Sequence, residues 1–247
     1  MHESRKQLLL APDRVLFTGD LPPTGWHRHG APVLLMGLSG DIDVCFRNGT
    51  RERCRSAVVD AGVDHCLDTR GERVATFYLE PDVELVPWLR VTLLADGPAV
   101  FDVAVPSRVK RYTEGRLHSL DPCRLLRHAP RAGSAPELDP RIAATLRLLR
   151  QPHPGVIARG ELASVAGLSE SRFNHLFSEQ AGISFRRYRS WAMVRSSLGM
   201  VARQSSLTDA ALHAGLYDSA HFSRLFRDLI GLTPSSVLKD LTIVRTA

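Results

Sequence analysis

The sequence predicts an α+β chain of two domains, a β-rich N-terminal half and an all-α C-terminal part. Two observations carry this. From Arg14 to about Leu79 the apolar residues fall in short alternating runs separated by turn residues, and after Glu137 they recur at helical spacing with glycine punctuation. The length of 247 residues fits two cores of ordinary size.

In the N-terminal half, Val33–Leu38 and Asp41–Phe46 read as strands, and Asn48-Gly49 marks a hairpin turn. Ala57–Val59 and Val74–Leu79 add further runs, so five or more short strands predict a small barrel or sandwich over residues 1–80. Residues 82–128 shift to helical spacing, as in Leu85, Leu89 and Val91, or Leu117, Leu120, Leu125 and Leu126. Segment 81–128 is therefore expected to form helices that either cover the barrel or make a homodimer. The proline- and glycine-bearing stretch at 129–137 reads as a linker to a domain at 138–247. Asp139 before Pro140 is a helix start.

Charge and cysteine usage narrow the class. The chain carries a formal charge of +6, and from Glu137 onward 14 basic residues face 9 acidic ones, an excess that suits a polyanion. Cys45, Cys54, Cys66 and Cys123 show no paired spacing, so reduced thiols and a cytoplasmic protein are expected. Nowhere do 18 apolar residues run uninterrupted, so no membrane partner is expected.

The most informative feature is an internal repeat. Leu162-Ala163-Ser164-Val165-Ala166-Gly167-Leu168 recurs as Ala210-Ala211-Leu212-His213-Ala214-Gly215-Leu216. Beyond the turn, Phe173, Leu176, Phe177, Gly182 and Ile183 answer to Phe222, Leu225, Phe226, Gly231 and Leu232. Each copy reads as a helix ending in Ala-Gly-Leu, a turn capped by Ser169 or Asp218, and a second helix with an inward Phe-x-x-Leu-Phe stripe. That is a helix-turn-helix written twice. The glycine permits a sharp turn, and the second helix projects polar side chains toward base edges. The outward positions are Ser171, Arg172, Asn174 and His175 in the first copy, and Ser219, Ala220, His221, Ser223 and Arg224 in the second. Ser184 to about Arg203 reads as one linker helix of roughly 27 to 30 Å, close to a turn of B-DNA, with Arg186, Arg187 and Arg189 placed to touch phosphates.

Residues of about 138 to 241 resemble the DNA-binding domain of the AraC/XylS family of bacterial transcription regulators. The run from Ala214-Gly215-Leu216 through Asp218-Ser219, Phe222-Ser223-Arg224-Leu225-Phe226-Arg227 and Gly231-Leu232-Thr233-Pro234-Ser235 carries that resemblance. It implies double-stranded promoter DNA and RNA polymerase as partners.

His27 and His29 lie one residue apart on an extended segment, so their imidazoles point the same way, and His65 follows the next strand and turn. The layout resembles a cupin, which implies a small β-barrel and a possible divalent metal on His27, His29 and His65. The glutamate of that pattern is missing, as Gly30-Ala31-Pro32-Val33-Leu34 stands in its place. Cys66 offers a further soft ligand, and without metal the histidines would line a pocket or bond within the barrel. A small organic effector walled by Trp26, Phe46, Phe77 and Tyr78 is an equal expectation. Non-enzymatic, effector-responsive regulation is the leading reading; a cupin-type metal-dependent enzyme with an accessory nucleic-acid domain is the alternative.

Overall fold

A computed structural model describes residues 6–104, 121–126, 136–151, 157–203 and 205–245. The N-terminal domain is built from two sheets. Strands β1 (Lys6–Ala11), β2 (Arg14–Asp20), β4 (Val33–Gly37), β7 (Ser56–Val59), β9 (Arg73–Leu79), β10 (Ala99–Phe101) and β11 (Leu241–Arg245) form one, in the order β10-β7-β4-β9-β2-β1-β11. Strands β3 (His27–Arg28), β5 (Ile42–Phe46), β6 (Arg51–Cys54) and β8 (Asp64–Asp68) form the other, in the order β3-β8-β5-β6. No strand pairing among the described residues joins them, so the expected barrel is an open pair of sheets. The Asn48-Gly49 turn closes the β5–β6 hairpin as the sequence predicts, with Gly49 at φ +89°.

The larger sheet is buried on both faces, which period-two alternation makes visible on β9. Val74 and Tyr78 join one core, while Ala75, Phe77 and Leu79 join the other. Helix α1 (Leu85–Thr92) covers that second face with Leu85, Val86, Trp88 and Leu89, all buried. The helix covers the sheet, and β10 shows that segment 81–128 is not wholly helical. Its three residues pair with β7, so edge pairing overrides the helical reading there. Leu125 sits in a short 3-10 turn (Pro122–Leu125), with Leu126 directly after it. Leu117 and Leu120 lie outside the described residues, as do 129–135 of the expected linker.

The C-terminal domain comprises α2 (Pro140–Arg150), α3 (Arg159–Val165), α4 (Glu170–Ala181), α5 (Phe185–Val201), α6 (Leu207–His213), α7 (Ser219–Ile230) and α8 (Pro234–Leu238). The predicted caps form: Asp139 accepts from the Arg141 amide, Ser169 from Arg172 and Asp218 from His221. Ser184, Ser206 and Thr233 cap α5, α6 and α8 in the same way. One element escaped the helical reading of this region. Strand β11 leaves the helical domain and pairs in parallel with β1, Lys6 opposite Leu241.

Candidate nucleic-acid interface and histidine cluster

Each helix-turn-helix unit is set by a glycine in the left-handed region. Gly167 (φ +64°) turns the chain between α3 and α4, and Gly215 (φ +79°) does so between α6 and α7. Behind the turns, Phe173, Phe177, Phe222 and Phe226 are buried, so the polar sides of α4 and α7 face outward. Ser171, Arg172 and His175 on α4 are exposed, as are Ala220 and Arg224 on α7. Asn174, Ser219, His221 and Ser223 are half-buried. The Ser223 hydroxyl donates to the Ser219 carbonyl at 2.8 Å, so it serves its own helix. His221 stacks on Tyr217, which is 86% exposed at the tip of the turn. Tyr217 was not singled out from sequence; its position, next to the cap of an outward-facing helix, was the signal.

Helix α5 has nearly the expected length, its 17 residues spanning about 26 Å, and Tyr188, Trp191 and Val194 on it are fully buried. Arg186 is exposed and Arg189 lies over the Phe185 ring. Arg187, expected at phosphates, instead donates to the Arg28 carbonyl and to Asp228, both at 3.1 Å.

Part of that burial comes from neighbouring helices, as where Tyr188 packs on Phe177, and part from the N-terminal domain, as where Trp191 packs on Tyr78. Glu80, at the end of β9, is wholly buried and accepts from the Tyr188 hydroxyl at 2.7 Å, the Trp191 indole N–H at 3.2 Å and Arg195 at 2.9 Å. Arg150 of α2 stands 3.6 Å from the same carboxylate and is held by Asp82 at 2.6 Å. Burial and the neighbouring Glu80 charge push the Tyr188 hydroxyl well above its ordinary range. Gly30 is required at this seam, because a Cβ there would lie 2.2 Å from the Cβ of Trp191.

The three predicted histidines come together at the same seam. His27 and His65 are opposite partners on β3 and β8, and His29 follows on the next inward position. Their ring centroids lie 4.5 to 4.7 Å apart, and all three side chains are buried. Each Nδ1 contacts a backbone carbonyl: His27 to Gly25 at 2.8 Å, His65 to Val63 at 2.9 Å and His29 to Leu229 of α7 at 2.7 Å. Burial, and then the charge of His65, draws His27 down to about 3; burial lowers His29 and His65 as well. Cys66 alternates to the opposite face of β8, beside Cys45, and takes no part.

The four expected effector-wall residues are not brought together. Phe77 points to α1, Phe46 packs against Phe101, and Trp26 is 40% exposed under Arg47. Tyr78 has its ring 4.9 Å from His29, and Phe46 stands opposite His65 in the β5–β8 register. The cavity at the cluster holds about 20 Å³, far below the roughly 300 Å³ an organic ligand needs. A larger cavity of about 470 Å³ opens elsewhere along the seam, between Leu10–Pro12 and helices α2, α5 and α6.

Residues 162–240 match the family model described as a helix-turn-helix domain. The chain thus carries a helix-turn-helix DNA-binding domain over these residues. The chain is 26% identical over 230 residues to a probable transcriptional regulator, LumQ, of Photobacterium leiognathi, covering 85% of this chain and 90% of that one. Its fold is that of ToxT from Vibrio cholerae. An apo ToxT variant superposes with a TM-score of 0.60 at 10% identity over 93% of this chain and 98% of that one. Wild-type ToxT with an unsaturated fatty acid bound gives 0.55 at 12% identity over 98% of each chain. The likeness to ToxT spans both domains, and no described helix of the chain is long and apolar enough to cross a membrane.

Proposed function

We propose that this regulator reads promoter DNA through α4 and α7 and responds to a carboxylic-acid effector held in the 470 Å³ cavity between its domains. The observation that carries the effector reading is the lining of that cavity. Leu10, Ala11 and Pro12 of the sheet domain meet Arg147, Arg150, Arg195 and Arg203 of the helical domain, with Ala192 and Met200 supplying apolar wall. The volume lies in the range of small-molecule sites, and arginines over an apolar floor suit a carboxylate with a hydrocarbon tail. The unsaturated fatty acid bound to the fold neighbour ToxT is a molecule of that chemistry. Because both domains line the cavity, a ligand there changes how they dock.

The reading of DNA rests on Arg172, Arg224 and Arg227, all exposed on α4 and α7, with Ser171, Asn174, His175, Ser219, Ala220 and His221 around them. Arg224→Ala should relax discrimination at one base pair by about 1 to 3 kcal/mol while leaving binding to random duplex nearly unchanged. Selection from a random duplex pool with wild-type and variant protein measures this; identical recovered sites would reject Arg224 as a base reader. Titration of the protein with an unsaturated fatty acid, followed by mobility shift on the selected site, tests the effector. Binding unchanged by Arg147→Ala together with Arg203→Ala would remove the cavity from the account. Homodimerisation and contact with RNA polymerase complete the proposal: sedimentation at micromolar concentration with DNA should show two chains per duplex, and transcription from the selected site by purified polymerase should change when the regulator is added.

A further inference from the structure

We propose that His27, His29 and His65 bind a divalent transition-metal ion, and that this ion clamps the second recognition helix, α7, to the sheet domain. The argument starts from proton placement. A backbone carbonyl only accepts, so each Nδ1 that contacts one must carry the hydrogen. In a neutral imidazole the Nε2 is then a bare lone pair. Three such lone pairs converge here. His27 Nε2 and His29 Nε2 lie 3.2 Å apart, and His65 Nε2 is buried without a hydrogen-bond partner. The three ligand atoms all fall within 4.8 Å of one another.

Converging lone pairs in a dry site repel unless something electrophilic sits between them. A single proton can bridge only two of the three nitrogens and leaves the third lone pair facing them. A metal ion removes the conflict. Bonds of about 2.0 to 2.1 Å in tetrahedral geometry place ligand nitrogens roughly 3.3 Å apart, which is the His27–His29 separation already present. Metal-bound histidines ordinarily donate their other nitrogen to a carbonyl or carboxylate, as all three do here. The small cavity against the cluster, lined also by Thr24, Thr76 and Tyr78, leaves space for one water-sized fourth ligand. Neutral imidazoles without a carboxylate suit zinc, copper, nickel or cobalt.

The clamp follows from where the second carbonyls come from. Leu229, whose carbonyl fixes His29, is on α7, and the Gly231 carbonyl accepts the Gly25 amide at 2.8 Å. A Cβ on Gly231 would sit 2.5 Å from His27 Nδ1. The C-terminal end of the helix thus forms the outer shell of the histidine site. Metal binding orients the rings, and oriented rings hold Leu229 to Gly231 in place. This site shares no lining residue with the arginine-lined cavity, so it stands or falls apart from the effector reading.

The test uses untagged full-length protein treated with chelator and titrated with Co²⁺ and Zn²⁺, with hydrogen exchange read at the Gly25 and Gly231 amides. The expected result is one ion per chain, visible absorption of four-coordinate Co²⁺, and slower exchange at both amides on loading. His27→Gln, His29→Gln and His65→Gln should each weaken binding by more than the roughly 10- to 100-fold that loss of an outer-shell partner costs. The wild-type spectrum and exchange decide the matter even where a variant does not fold. Absence of Co²⁺ binding by the wild type, retention of binding in the folded glutamine variants, or unchanged seam exchange on loading would each overturn the proposal.

Discussion

Replacing Glu80 tests whether one buried carboxylate holds the two domains together. In the native seam it accepts from Tyr188, Trp191 and Arg195 while lying fully out of solvent. Glu80→Ala leaves the Tyr188 hydroxyl without its acceptor and strips Arg195 of its charged partner. Removing one member of a buried ion pair costs about 3 to 5 kcal/mol. Arg150 keeps Asp82 and Arg195 keeps the Ala11 carbonyl, which places the expectation at the lower end, about 3 kcal/mol. In a chain of this size that corresponds to a fall in Tm of roughly 6 to 12 °C. Glu80→Gln should cost about 2 kcal/mol, since the amide retains one acceptor but loses the charge-assisted bonds. Urea unfolding followed by Trp191 fluorescence measures both. The double variant Glu80→Ala with Tyr188→Phe should lose less than the sum of the singles, by about 1 kcal/mol, because the two side chains share a bond. A loss below about 1 kcal/mol for Glu80→Ala, with full additivity, would show that the seam is held by apolar packing alone and refute the reasoning.

Three further outcomes follow from the same seam and from the caps. His27 titrates near 3 in the folded protein against 6.5 when unfolded, so the unfolded chain binds more protons. Stability in metal-free protein is therefore complete above pH 6.5 and lost as pH falls toward 3, with about 2 kcal/mol gone at pH 5 from His27 alone; pH-stepped thermal melts that stay flat from 7 to 5 would count against the buried neutral cluster. Gly231→Ala should weaken Zn²⁺ binding by about tenfold or more while the far-ultraviolet spectrum stays unchanged, because the added Cβ meets His27 Nδ1 and Gly25; unchanged affinity by calorimetry would separate α7 from the histidine site. Asp218→Ala removes the cap of α7 and should cost about 1 kcal/mol of stability, with weaker binding to selected DNA; equal melting temperatures would show the helix start is held by other contacts.

What the sequence determined by itself is local or periodic. The two helix-turn-helix units were legible because their signals lie within a few residues: Ala-Gly-Leu turns at Gly167 and Gly215, caps at Ser169 and Asp218, and phenylalanines one turn apart on α4 and α7. The shared side of His27 and His29 followed from the period of a strand, and the β5–β6 hairpin from Asn48-Gly49. Where the sequence failed, the deciding partner was far along the chain. Nothing near Arg187 reveals that Arg28 and Asp228 take up its guanidinium, and nothing near Phe77 tells which face of a doubly buried sheet it occupies. The strand at Leu241–Arg245 exists because β1 offers an open edge more than 230 residues earlier. Only the tertiary structure placed Glu80 under α5 and the Leu229 carbonyl behind His29. Local pattern specifies elements and their exposed faces, whereas the seam between the domains is fixed by complementary burial of charge and hydrogen bonds between distant segments, which no period in the sequence records.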